Sequence, residues 1–164
     1  MATVHLICGL PSAGKTTYST ALKVTTSGVH FRLDHWLVTA YGHYAIDTVG
    51  HEEHVRRVGA CRTLIWDVAQ QFLRRQVDVI LDDGFFLHAH RLRYAQLAAA
   101  MDADCTVHFL NTPRTTIEAR LEKRNQNLPP DSFTITPAML DQFYAMFEPP
   151  SPADGLCVIE IGEL

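Results

Sequence analysis

The chain has 164 residues, 47% of them hydrophobic and 20% charged, which fits one domain with an ordinary core and excludes a disordered polypeptide. A net charge of −4 with neutral histidines leaves no global basic field to hold nucleic acid. No apolar run approaches the length of a membrane span, and no basic region precedes the first apolar stretch as a signal peptide requires.

In chain order, "TVHLIC" (3–8) is a short β-branched run and reads as the first strand. A helical stretch follows from about Lys15 to Lys23, and "VHFRLD" (29–34) reads as a second strand. From Glu52 to Arg75, the apolar residues Val55, Val58, Ile65, Val68, Phe72 and Leu73 fall near helical spacing. "VDVILDD" (77–83) is the third strand, His90–Met101 an Ala- and Leu-rich helix, and "CTVHFL" (105–110) the fourth strand. Pro113 opens a charged helix, at a position where proline is tolerated. "QNLPPDSFTIT" is a loop, "PAMLDQFYAMF" a last helix, and "EPPSPADG" a turn-rich connector to a terminal strand, "LCVIEI". Strands alternating with helices predict an α/β fold, a parallel sheet with helices on both faces. The strands are apolar throughout, as expected for strands covered on both sides. Cys8, Cys61, Cys105 and Cys157 sit singly in apolar segments with no metal spacing, and read as reduced, buried thiols of a cytoplasmic protein.

The first strand runs into "GLPSAGKTTY". Gly9-x-x-x-x-Gly14-Lys15-Thr16 is the phosphate-loop (P-loop) pattern, lying after a strand and before a helix as it must. Its glycines let successive N–H groups point inward, and the helix N-terminus adds its dipole, so the segment is an anion cradle. Gly9, Ser12, Ala13, Gly14 and Thr17 are the expected nucleotide contacts beside Lys15, which would reach the β- and γ-phosphates, and Thr16, whose hydroxyl would ligate Mg²⁺.

In a parallel sheet the strand C-termini gather beside that loop. Asp82, after an apolar strand, is placed to hold Mg²⁺ or orient a nucleophile; Asp83 competes for the role, because adjacent strand residues face opposite ways. Asp34 is placed to take a proton from a substrate hydroxyl; its competing assignment is the N-cap of a following helix. Arg120 and Arg124 lie on one helical face before an irregular loop, which predicts a lid over about 120–137 that neutralises charge during phosphoryl transfer; the alternative is a solvated face pairing with Glu118 and Glu122. His51, His54, His88 and His90 lack partners at ligand spacing. Arg91 and Arg93 could reach a substrate or start a solvated helix, Trp36, Phe85 and Phe86 could wall a pocket or fill the core, and "FEPPSPADG" is a candidate for the adenine side.

"GLPSAGKTT", a strand ending in Asp34, "VDVILDDGF" and "RLEKRN" together resemble the small P-loop kinases. Within that group the chain is most similar to short bacterial AAA-type ATP-binding proteins and predicted kinases, over almost all of its length. Wider relatives include the kinase domain of phage-type polynucleotide kinases, chloramphenicol phosphotransferase and zeta toxins. The resemblance implies a single domain over 1–164 with a five-stranded parallel sheet in the order 2-3-1-4-5, and transfer of the ATP γ-phosphate to a hydroxyl. Matched by motif, Lys15 and Thr16 carry the phosphate and Mg²⁺ roles, Asp34 the base, Asp82 the third-strand carboxylate, and Arg120 and Arg124 the lid. The chain lacks room for the helical domain of AAA motors. Polynucleotide kinases place an arginine one turn after the base, where Leu37 stands here. The expected partners are therefore ATP and a small-molecule acceptor, with a 5′-hydroxyl polynucleotide kinase and an acceptor-free nucleotide switch as alternatives, and with the oligomeric state open.

Overall fold

The computed structural model describes residues 1–130 and 132–162, so position 131 of the expected lid lies outside the described residues, as do 163 and 164. The elements are β1 (Thr3–Cys8), α1 (Lys15–Thr26), β2 (Val29–Arg32), α2 (Leu33–Tyr41), α3 (Ile46–Val49), α4 (His51–Leu73), β3 (Val79–Gly84), α5 (His88–Ala99), β4 (Asp104–Leu110), α6 (Arg114–Gln126), α7 (Pro137–Met146) and β5 (Cys157–Ile161). A 3₁₀ turn at Pro152–Asp154 precedes β5. The five strands form one parallel sheet in the order β2-β3-β1-β4-β5, with Leu6 opposite both Leu81 and Val107.

Alternation along the strands builds two cores. Val4, Leu6, Val79, Leu81 and Val107 face Ile65, Ala69, Leu73, Tyr94 and Ala98, from α4 and α5. Ile7, Ile80 and Leu110 face the opposite way, toward Ala13, Ile117, Leu121 and Leu140, on the side of α1, α6 and α7. Apolar strands without polar alternation are thus explained by cover on both faces. β5 departs from that rule. It is an edge strand, and Cys157 is exposed and Cys105 half-buried, whereas Cys8 and Cys61 are buried as expected.

Two boundaries differ from the sequence reading in ways that matter. β2 stops at Arg32, and the chain turns straight into α2, which has no side-chain cap to announce it. Asp34 therefore lies in the first turn of a helix, not at the end of a strand, and Arg32 rather than Asp34 occupies the N-cap. β3 runs on to Gly84, so Asp82 lies within the strand rather than at its end.

Under α1 runs a buried polar chain. The Tyr18 hydroxyl meets His108 Nδ1 at 2.8 Å, His108 Nε2 meets His5 Nδ1 at 2.9 Å, and His5 Nε2 lies 3.5 Å from Asp78. Burial pushes His108 down to about 4 and also lowers His5. A histidine held neutral in the folded state contributes stability that is intact above its unfolded pKa of about 6.5 and is lost as pH falls toward the folded value. Unfolding free energy from urea titration is therefore expected to drop by roughly 3 kcal/mol between pH 7 and pH 4 on account of His108 alone. That part of the slope should vanish in His108→Gln; an unchanged slope in the variant would contradict the assignment.

Candidate phosphate-binding and transfer site

Gly9 through Thr16 wrap the C-terminal end of β1. Gly14 has φ +101° and Ser12 has φ +62°, both in the left-handed region, which turns successive backbone N–H groups to one side. A side chain at Gly9 would be strained, because φ there is +156° and a Cβ would lie 3.2 Å from the Leu110 carbonyl oxygen. The loop is braced by Gly9 N–H donating to Gly84 O and by the Thr112 hydroxyl donating to Ala13 O at 2.9 Å. Helix α1 starts without a side-chain cap and without an acidic residue in its first turn, which leaves its N–H groups for an anion. Ser12 Oγ is buried with no hydrogen-bond partner, an orphan that a bound phosphate would satisfy.

The titratable residues converge on this cradle. Lys15 Nζ donates to Leu10 O at 2.8 Å. Desolvation lowers the Lys15 pKa, opposed by the charges of Asp82 and Asp34. The Thr16 hydroxyl donates to Asp82 Oδ2 at 2.9 Å, and His30 Nε2 lies 3.6 Å from the same oxygen. A hydroxyl paired with a carboxylate beside a phosphate cradle is a donor set that suits Mg²⁺. Asp83 faces the other way and takes two bonds from Arg62 on α4, at 2.6 and 2.7 Å. The two aspartates are thereby distinguished: Asp82 faces the loop and Asp83 is an ion-pair partner. Thr17 is exposed beside Thr16.

Asp34 is open to solvent, yet it is recessed enough in the cleft that desolvation raises its pKa, opposed by Lys15 and Arg124. Arg124 donates to Phe133 O at 2.8 Å, its Nε is buried without a partner, and burial lowers its pKa against the pull of Asp34. Arg120 reaches the loop itself, 3.5 Å from Ala13 O. The helix face carrying both arginines is thus turned to the cradle, while Glu118 on a neighbouring face pairs with Arg114.

Other expectations fail or narrow. Arg91 is neither exposed nor free for a substrate. It is wholly buried, donating to Phe85 O at 2.9 Å and to Phe86 O at 3.2 Å, with Asp154 3.4 Å away. This arginine ties the connector before β5 to the loop after β3, where Glu148 also accepts from His88 N–H. Phe85 is core, stacked on His90 at 4.8 Å, and Phe86 packs on Phe143 and Phe147. Among the described residues no His, Cys, Asp and Glu cluster is arranged to hold a metal on its own, and no helix is long and apolar enough to cross a membrane. His30, Tyr44 and Arg57, which border the cleft or its flank, carry no motif in the sequence. They meet it only because β2, the α2–α3 turn and α4 fold together.

A family model described as AAA domain matches residues 4–150. Among curated proteins nothing matches. Solved structures are similar in fold over nearly the whole chain. A candidate kinase from Chloroflexus aurantiacus superposes with TM-score 0.75 at 16% identity, covering 98% of this chain and 88% of that one. Kti12 from Chaetomium thermophilum, in complex with ADP-AlF3, gives 0.69 at 16% identity over 96% and 88% of the two chains. A sugar kinase from Janibacter gives 0.64 at 14% identity over 99% and 86%.

Proposed function

We propose, on the premise that this chain belongs to the AAA domain family and has the P-loop kinase fold, that it moves the γ-phosphoryl group of ATP to a hydroxyl of a small-molecule acceptor. One observation carries the reading: Asp34, Asp82 and Arg124 all lie within electrostatic reach of Lys15, around a loop built for phosphate. A nucleotide switch needs the loop but not a carboxylate recessed opposite it. Kti12, a relative in fold, holds ADP-AlF3, which supports a nucleotide here.

In this mechanism the N–H groups of the 9–16 loop and Lys15 grip the β- and γ-phosphates. Mg²⁺, held by Thr16 and Asp82, would neutralise charge on those phosphates. Asp34 takes the acceptor's hydroxyl proton as the new P–O bond forms and the bond to ADP breaks; its raised pKa makes it a better base than an ordinary carboxylate. Arg124 and Arg120 meet the charge spread over the equatorial oxygens.

Incubation with γ-labelled ATP, Mg²⁺ and a cell extract tests the reading: label should appear on an organic product in excess of inorganic phosphate. Arg124→Ala should lower kcat by roughly ten- to a hundredfold and ATP affinity much less, because the charge it meets grows in the transition state. Equal losses in both would make Arg124 a ground-state binder only.

A further inference from the structure

On α4, beyond the phosphate cleft, one guanidinium is only half used. Arg57 Cζ lies 4.9 Å from the ring centroid of Tyr41 and 4.7 Å from that of Tyr44. Its Nε donates to Glu53 at 2.7 Å, and its side chain is 19% exposed. Glu53 also takes two bonds from Arg56, so one carboxylate faces two cations and a positive charge is left over. The terminal nitrogens of Arg57 donate to no acceptor among the described residues. Stacking occupies the faces of a guanidinium and leaves its in-plane N–H groups available. An arginine immobilised in this way is a prepared fork for a carboxylate or phosphate, with its side-chain entropy already lost.

Tyr44 links this fork to the transfer site. Its hydroxyl meets His54 Nδ1 at 3.0 Å, its ring packs on Phe133 of the lid at 5.2 Å, and its phenol feels the charge of both Arg57 and Asp34. Tyr41, on which Arg57 also stacks, lies seven residues after Asp34 in α2 and so on the same helical face, and the Phe133 carbonyl accepts from Arg124 at 2.8 Å, which sets Arg57 about two helical turns along α2 from Asp34 with the lid segment beside it. Helix α2, which carries Asp34, contains no Arg or Lys, and its Leu37 is buried in the core. A cation for an anionic acceptor would therefore have to come from another element, and Arg57 on α4 is one placed beside α2.

We infer that Arg57 anchors an anionic group of the acceptor, so that the compound phosphorylated at Asp34 is a hydroxylated acid bearing a carboxylate or a phosphate. The inference rests on the kinase reading above and adds the acceptor's chemical class to it.

The test uses the full chain saturated with a non-hydrolysable ATP analogue and Mg²⁺, which removes the P-loop as a competing phosphate site. Inorganic phosphate and then acetate are titrated while the arginine Nε–H signals are followed by NMR. The Arg57 signal, assigned by its loss in Arg57→Met, should shift saturably with at least one of the two probes, and several-fold more than those of Arg56 and Arg114. Which probe saturates distinguishes a phosphate-bearing from a carboxylate-bearing acceptor. A shift no larger than at those exposed arginines, with both probes, overturns the inference while the kinase reading stands. Failure of the analogue to bind at all removes the kinase reading first, and this inference with it. A second readout is the labelled product from the extract. It should carry an acid group besides the new phosphoryl group, and Arg57→Met should raise its KM tenfold or more; a product made from a neutral alcohol overturns the inference.

Discussion

Lys15→Ala is expected to weaken ATP binding by tenfold or more and to lower turnover by a further hundredfold or more, with the fold retained. The first figure is that of a charge-assisted hydrogen bond to phosphate, on the order of 1.5–3 kcal/mol. The second reflects charge that develops on the transferring group in a site shielded from water. Retention of the fold follows from what Lys15 does in the absence of nucleotide. It makes one bond to its own loop, at Leu10 O, and desolvation presses its pKa down. Desolvation of the ammonium outweighs the pull of Asp82 and Asp34, so its charge is a cost to the folded state and its removal should leave Tm unchanged or slightly higher. Calorimetric titration with ATP and a thermal melt on the same variant check both halves. A variant that binds ATP normally would remove the phosphate role, and one that melts many degrees lower would make Lys15 a structural residue.

The parts of this molecule that were legible in the sequence are those coded by neighbouring residues. The P-loop is a contiguous strand–turn–helix, so Gly9 to Thr16 announce their own backbone. The sheet order came with the resemblance to P-loop kinases, and the apolar strands agree with it. What was hidden depends on contacts between distant segments. In "VHFRLDHWLV" the one residue of capping type, Asp34, lies inside the first helical turn rather than before it, so nothing local marks the switch from β2 to α2 at Leu33. The choice between Asp82 and Asp83 is decided by Arg62, which is 21 positions away from Asp83 on α4. Arg91 reads as a substrate contact or a solvated helix start because nothing local shows its three acceptors, the carbonyls of Phe85 and Phe86 and the Asp154 carboxylate of the 3₁₀ turn. His5 and His108 read as strand residues, and only the β1–β4 pairing shows that they share a hydrogen bond. The candidate site was therefore readable where its residues sit in motifs. Its flank, with Tyr44, Arg57 and Phe133, comes from three segments that fold together.

Asp34→Asn is the second large effect. Asparagine keeps the shape of the side chain and most of its hydrogen bonding, and it removes a carboxylate whose ionisation the cleft already disfavours, so folding and ATP binding should persist. Transfer to the acceptor should fall by roughly a hundredfold or more, the scale of general-base catalysis. In the unmodified protein the acid limb of kcat/KM should lie above the ordinary aspartate range of about 3.9, since desolvation raises the Asp34 pKa and activity requires the ionised form. Hydrolysis of ATP by water should change far less, because water need not sit against Asp34. The most direct measurement is thus a pair of rates from one reaction with γ-labelled ATP, label to acceptor and label to inorganic phosphate, compared between the unmodified protein and Asp34→Asn. A kinase with Asp34 as its base predicts that the ratio of the two rates collapses by roughly two orders of magnitude. An unchanged ratio, with both rates near those of the unmodified protein, would contradict it and leave a nucleotide-binding switch.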